Sequence, residues 1–305
     1  MFILGAGASA EYGFPLGSGL VQRIVEGTGS GGQLRDDLER AGYKREELNE
    51  FSRKLRDSDQ LSIDTFLEGN ECNSFQAIGK AAIAISILQA EHASRKQEKF
   101  IGRNVPADHW LRYIWNLMRS DCDSADEFAK NQVSFVTFNY DRVVEWYFQI
   151  VLENAFNLPG PTEARDLFAK TVPMVHLHGT IADREFGQYS GRLGSTEVQA
   201  VAKGIRVVHD PASERPFTAA WELFKKARLV CILGFGYHPT NIDRLRLKDF
   251  VEPSAQMPAS TYNMGGAQVS VAYSRIQHRG LGISNLPAAR DYKAERFLKE
   301  IAQLV

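Results

Sequence analysis

The side chains best suited to chemistry in this chain are an amide, a carboxylate and two imidazoles. Asn139 and Asp141 stand two apart in Thr137-Phe138-Asn139-Tyr140-Asp141, after an apolar run and before a helical pattern. At the tip of a strand, such a pair can bond sugar hydroxyls or hold a water. Asp141 alone also reads as a helix N-cap, a position its residue type favours. His178, in Val175-His176-Leu177-His178-Gly179, ends another apolar run. An imidazole placed there suits a general base near neutral pH. His176 shares its side if the strand stays regular, and reads better as a structural histidine. Metal ligation is the alternative, but no third ligand lies nearby in sequence. His92, His109, His209, His238 and His278 have surface or packing readings.

Two further loops offer backbone instead of side chains. Phe2-Ile3-Leu4 runs straight into Gly5-Ala6-Gly7-Ala8-Ser9-Ala10. A buried strand ending in small residues can bring N–H groups against a phosphate. The formal GxGxxA pattern is a weak signal by itself. A dehydrogenase would also need an acidic residue closing a second strand about 20 residues on. Glu26 instead sits in a helix-like stretch, and Pro15 should interrupt any long helix after the loop. Hydride transfer is therefore disfavoured. Leu233-Gly234-Phe235-Gly236-Tyr237-His238-Pro239-Thr240-Asn241 is the second such loop, with Asn241 available as a helix cap.

The elements that must position these groups read as an α/β fold. Strands are expected at Phe2–Leu4, Val133–Phe138, Met174–Leu177, Ile205–Val208, Leu229–Leu233 and Val269–Tyr273. Most are continuous apolar runs, as in a parallel sheet covered on both faces. Helical spacing links Val143, Val144, Tyr147, Ile150 and Val151, then Ala219, Ala220, Leu223 and Phe224, and finally Tyr292, Phe297, Ile301 and Leu304. Residues 29–130 break the alternation and read as a helical insertion, carrying Ile78, Ala82, Ile85 and Leu88, then Trp110, Leu111, Ile114 and Leu117. Gly5, Asn139, His178 and Gly234 would all fall at the carboxyl ends of strands, where an open parallel sheet forms its binding crevice.

Composition narrows the class. The chain has 305 residues, 44% of them hydrophobic, and a formal net charge of −1, so no basic excess points to direct nucleic-acid binding. No apolar run approaches the length of a membrane span. The N-terminus has no basic region ahead of its apolar run, so no secretory signal is expected. Cys72, Cys122 and Cys231 form no CxxC pair, which speaks against a disulfide framework or a cysteine zinc site. A cytoplasmic protein is expected. The charged stretches Arg35–Arg40 and Lys44–Glu47 read as solvated helical faces, with an interface as the alternative.

Taken in order, Gly5-Ala6-Gly7-Ala8-Ser9 with Gly13-Phe14-Pro15, then Thr137-Phe138-Asn139-Tyr140-Asp141, then His178-Gly179, resemble the motifs of sirtuins. Ser62-Ile63-Asp64-Thr65-Phe66-Leu67 and Leu233-Gly234-Phe235-Gly236 resemble the bacterial sirtuin-like branch of anti-phage defence systems. The resemblance implies one sirtuin-like domain over residues 1–305, with a Rossmann-like NAD-binding part at 1–28 and 131–305 and the helical insertion at 29–130. It implies that Gly5, Ala6, Gly7, Ala8, Ser9, Pro15, Asp141, Gly234, Phe235 and Gly236 bind NAD, and that Asn139 and His178 are catalytic. The two CxxC pairs of deacylating sirtuins are missing, so no zinc-ribbon module is expected.

The implied activity is hydrolysis of NAD to nicotinamide and ADP-ribose without a metal, as the effector of an abortive-infection defence. Unchecked, that activity would kill its host. Control is therefore expected through homo-oligomerisation or a partner such as a HerA-type ATPase translocase. The alternatives are a non-catalytic NAD or ADP-ribose-sensing scaffold, an NAD-dependent deacylase, and an α/β domain with no nucleotide function.

Overall fold

A computed structural model describes residues 1–29, 31–70, 72–99, 108–181, 186, 188–189, 191–207, 214–277, 292–302 and 304. Four short strands build the sheet: β1 (Phe2–Leu4), β2 (Phe135–Thr137), β3 (Met174–His176) and β4 (Cys231–Leu233). All pair in parallel, in the order β3-β2-β1-β4. The chain adds β2 and β3 on one side of β1, then returns to place β4 on the other. The reversal therefore lies between β1 and β4.

Continuous apolar strands suit this sheet because both faces are covered. Phe2, Leu4, Phe135, Cys231 and Leu233 join one core, while the alternate residues Ile3, Val136 and Ile232 join another. Between β1 and β2 come α1 (Gly17–Gly29), α2 (Gln33–Arg40), α3 (Arg45–Asp57), α4 (Ile63–Glu68), α5 (Asn73–Lys96), α6 (Trp110–Arg119) and α7 (Ala125–Phe128). Helices α8 (Val143–Ala155) and α9 (Pro161–Thr171) lead to β3, and α10 (Ser195–Ala202) and α11 (Glu214–Phe224) precede β4. The chain continues through α12 (Pro239–Leu245), α13 (Leu247–Phe250), α14 (Gly266–Gln277) and α15 (Ala294–Phe297). Phe217, Phe224, Leu245 and Ile276 cover the second face. No helix among the described residues is long and apolar enough to cross a membrane.

The helical region has no strand among its described residues, as its sequence suggests. It is nevertheless continuous with the sheet: Leu48, Phe51 and Leu55 of α3 and Ile78, Ile85 and Leu88 of α5 share one core with Phe2 and Leu4. Helix α5 buries Ile83, Ala84 and Ile87 as well as its expected apolar stripe, so it runs through the interior.

Several expectations need correction. Val269–Tyr273 is not a strand but part of α14, where Val269, Ala272 and Ile276 are buried at helical spacing while Val271 is 46% exposed. A short apolar run carries too little period to separate the two states. Ile205 makes an isolated antiparallel bridge to Gly179 rather than a strand, and Val208 lies outside the described residues. The outer neighbour of β4 is instead the segment around Gln256 and Ala259, bridged in parallel to Leu229 and Ile232. The closing helix is short and passes into a π-helical turn at Leu298–Ala302. The charged stretches are a solvated face only in part: Asp36, Arg40, Lys44, Arg45 and Glu46 are exposed, but two charges of α2 are buried. Asp37 is fully buried and accepts from Tyr189 and the Leu193 amide, while Arg35 donates to the Thr28 and Gly29 carbonyls at the end of α1.

Beyond β1 the chain makes two 3₁₀ turns, Ala6–Ala8 and Ala10–Tyr12, before α1 begins after Pro15. Gly5 N–H donates to the Leu233 carbonyl at 2.9 Å and Gly7 N–H to the Gly234 carbonyl at 2.9 Å. A Cβ on Gly5 would stand 2.5 Å from the Gly234 oxygen, and one on Gly7 would stand 2.8 Å from the Gly234 Cα. Gly234 itself has φ +60°, and a Cβ there would drive into the Ala8 amide nitrogen. A non-glycine residue at such a φ is strained by about 1–3 kcal/mol before any collision is counted. Gly234→Ala is therefore expected to destabilise the fold by at least about 2 kcal/mol. Gly236→Ala, where a Cβ meets nothing within 4 Å, should change stability by less than about 1 kcal/mol. Denaturant titration of the two variants side by side checks this; equal midpoints would contradict the clamp.

Candidate functional site

Because every strand runs the same way, the loops after β1, β2, β3 and β4 emerge at one edge of the sheet. Asn139 follows β2, and its backbone N–H donates to Thr137 Oγ1 at 3.0 Å. Its side-chain Nδ2 donates to the Gly5 carbonyl and to Ser9 Oγ, both at 3.0 Å. Ser9 passes the chain on, donating to Asp141 Oδ1 at 3.0 Å. Asp141 Oδ1 also accepts the Val143 amide, the first of α8, at 3.2 Å. Asp141 is not the N-cap itself, which is Arg142; it stands one residue earlier and closes a network linking the ends of β1 and β2 to the start of α8.

Orientation of the Asn139 amide follows from its partners. The Gly5 carbonyl can only accept, so the group facing it must be the NH₂. Oδ1 of Asn139 is left as the acceptor available to an incoming hydroxyl or water.

His178 is reached through a turn. The strand ends at His176, so the two histidines do not share a regular strand face as expected. His176 is structural: Nδ1 bonds the Asn139 carbonyl at 3.0 Å, and Nε2 meets Glu145 Oε1 at 2.6 Å. Burial would lower its pKa, but the Glu145 charge and hydrogen bond outweigh that and raise it. Gly179, at φ +73°, makes the turn; a Cβ there would strike the Gly204 carbonyl. The His178 carbonyl accepts the Arg206 amide at 2.8 Å. Its ring meets Phe138 edge-on at 5.4 Å, and Phe138 packs on Phe235 at 5.1 Å. Nδ1 lies 3.5 Å from Asp64 Oδ1, while Nε2 is buried without a hydrogen-bond partner among the described residues.

The structure thus joins Gly5, Ser9, Asn139 and Asp141 by hydrogen bonds, and ties Gly7 and Ala8 to Gly234 by backbone contact. Phe235 reaches His178 through Phe138. The Ala6 carbonyl accepts the Ser9 amide, and among the described residues its own N–H has no backbone acceptor. Among the described residues, no hydrogen bond or ring contact ties Pro15 or Gly236 to the cluster. Asp64, Tyr140 and Glu145 were given no role by sequence reasoning. Asp64 had one signal, the Ser62-Ile63-Asp64 motif, but nothing in the sequence placed it beside His178. Of the remaining histidines, His109 is buried and caps α6, while His209 and His278 lie outside the described residues. Among the described residues, no group of three or more His, Cys, Asp or Glu side chains could hold a metal ion. No protein-family model and no curated protein matches the chain.

Burial pushes the Asp141 carboxyl up from 3.8 to about 7, more than the Ser9 and Val143 hydrogen bonds pull it down. The fold then holds a proton that the unfolded chain releases, so this group's contribution to stability declines as pH rises from about 4 to about 7. Asp141→Asn keeps the shape and removes the titration. Between about pH 5 and pH 8 the wild type should lose about 3 kcal/mol relative to this variant. Denaturant titrations at both pH values measure the difference; a gap that does not change with pH would refute it.

Proposed function

We propose that this chain is a sirtuin-like domain with a Rossmann-like sheet that hydrolyses NAD to nicotinamide and ADP-ribose. The observation that carries the reading is the Asn139 amide, locked by Gly5 and Ser9 so that Oδ1 is offered as an acceptor, on the same sheet edge as a buried imidazole with an unpartnered Nε2. The reversal of strand order between β1 and β4 supports a ligand crevice at that edge.

In this reading the bond between nicotinamide and ribose breaks through an oxocarbenium-like state, and its electron pair stays on the departing ring nitrogen. Nicotinamide leaves as a neutral molecule, so the leaving group needs no proton. Asn139 Oδ1 accepts a hydrogen from the ribose hydroxyl or the attacking water, and His178 Nε2 takes the proton released as water adds. A positioned general base contributes about 10²–10⁴-fold. The diphosphate side would lie by the Gly5–Ser9 loop, where the Ala6 N–H is not committed to backbone.

The resemblance extends this to a cytoplasmic defence effector that acts as a homo-oligomer or with a HerA-type ATPase translocase. Incubating the purified chain with NAD, alone and with such a partner, and following nicotinamide release tests the reading. Asn139→Ala and His178→Ala should each lower release by about 10²-fold or more. Undiminished release would remove the residue assignments, and binding of NAD without turnover under every condition would favour the sensing scaffold.

A further inference from the structure

Asp64 belongs to the helical region between β1 and β2, far in sequence from every group described at the strand ends. It sits in the first turn of α4, and that turn is tightly built. Ser62 is the N-cap; its Oγ accepts the Asp64 amide at 3.2 Å and donates to Asp64 Oδ2 at 3.1 Å. The other carboxylate oxygen, Oδ1, accepts the hydroxyl of Tyr140, which stands between Asn139 and Asp141. Thr180 secures that segment from the β3 side, donating to the Tyr140 carbonyl at 2.9 Å. Each oxygen of Asp64 therefore has its own hydroxyl donor, and Oδ1 also faces His178 Nδ1 at 3.5 Å. That separation is long for a hydrogen bond, as catalytic contacts in unliganded sites often are.

A carboxylate beside one imidazole nitrogen selects the tautomer that carries hydrogen there, and leaves the lone pair on the other nitrogen. The other nitrogen here is Nε2, which is buried and unpartnered. The charged and titratable groups facing Asp64 are His178, Tyr140 and, from α12, Arg244. Burial would raise the Asp64 pKa, but the His178 charge and the hydrogen bonds from His178, Tyr140 and Ser62 outweigh it and hold the carboxyl below its usual range.

We propose that Asp64 is the positioning residue for His178, holding its imidazole as the Nδ1–H tautomer so that Nε2 is the atom that takes the proton. The inference rests on the NAD-hydrolase reading for its chemistry. In the step itself, Nε2 gains the proton of water or of a ribose hydroxyl, Nδ1 keeps its own, and the resulting imidazolium is stabilised by the adjacent carboxylate. Asp64 touches no reacting atom.

The test pairs kinetics with a readout that needs no turnover. Imidazole ¹⁵N shifts, with His178 assigned by its loss in His178→Ala, report the tautomer directly. The wild type should show Nδ1–H, and Asp64→Ala, which removes the oxygen facing Nδ1, should lose that preference. In parallel kcat should fall about 10²-fold, with KM changed by less than about threefold and the acidic limb of the pH profile moved. Asp64→Glu should restore the Nδ1–H signature and recover part of kcat, which also serves if the alanine variant folds poorly. An unchanged His178 tautomer in Asp64→Ala would overturn the proposal whatever the activity. A tautomer shift in a protein that never consumes NAD would uphold the positioning and overturn the NAD-hydrolase reading instead.

Discussion

Between β1 and β4 the backbone of one loop lies directly against the backbone of the other, with no side chain between them. Gly5, Gly7 and Gly234 make that approach possible, and two hydrogen bonds hold it. Much of the site depends on this seam. It fixes where the Gly5 carbonyl points, and that carbonyl is what orients the Asn139 amide. It also fixes Ser9, through which the orientation is passed to Asp141 and so to the start of α8. The glycines of a loop that reads as a phosphate cradle thus have a packing duty of their own. Four of its amides, at Gly5, Gly7, Ala8 and Ser9, are already bonded to backbone carbonyls.

The edge that carries Asn139 and His178 was legible in the sequence to the extent that it depends on strands. Four runs dense in apolar residues became the four strands because a parallel sheet buried on both faces leaves no polar alternation to read. Their carboxyl ends then had to share an edge, which placed Gly5, Asn139, His178 and Gly234 correctly in relation to the sheet. At Val269–Tyr273 the inference failed although the run is as long as Leu229–Leu233, because Ala272 and Ile276 continue from Val269 at helical spacing and Val271 faces outward. The edge segment by Gln256 and Ala259 escaped notice because Pro258 interrupts it, although Ala255, Met257 and Ala259 alternate as buried residues.

What escaped sequence reasoning most fully was set by contacts over long separations. Asp64 and His178 lie more than a hundred residues apart, and no local pattern announces their meeting. Asp37 looked like one charge among many on α2, yet it is buried because Tyr189 and Leu193 bring donors to it from beyond β3. The side shared by His176 and His178 depended on one more residue of regular strand, and the turn through Leu177 removed it. Periodicity describes how an element meets its surroundings; it says nothing of which distant element the surroundings will be.

Pro258 has a consequence beyond its own segment. The Pro258 carbonyl accepts the Ile232 amide, and the segment in turn donates its Gln256 and Ser260 amides to the Arg228 and Ile232 carbonyls. Alternate residues of the segment turn their backbone groups toward β4, Pro258 among them, so the N–H that proline lacks is the one that would meet the Val230 carbonyl. One rung of the ladder is therefore missing, and two isolated bridges stand where a fifth strand would otherwise form. The sheet ends at four strands by the chemistry of a single residue, although the apolar alternation around it suits a fifth.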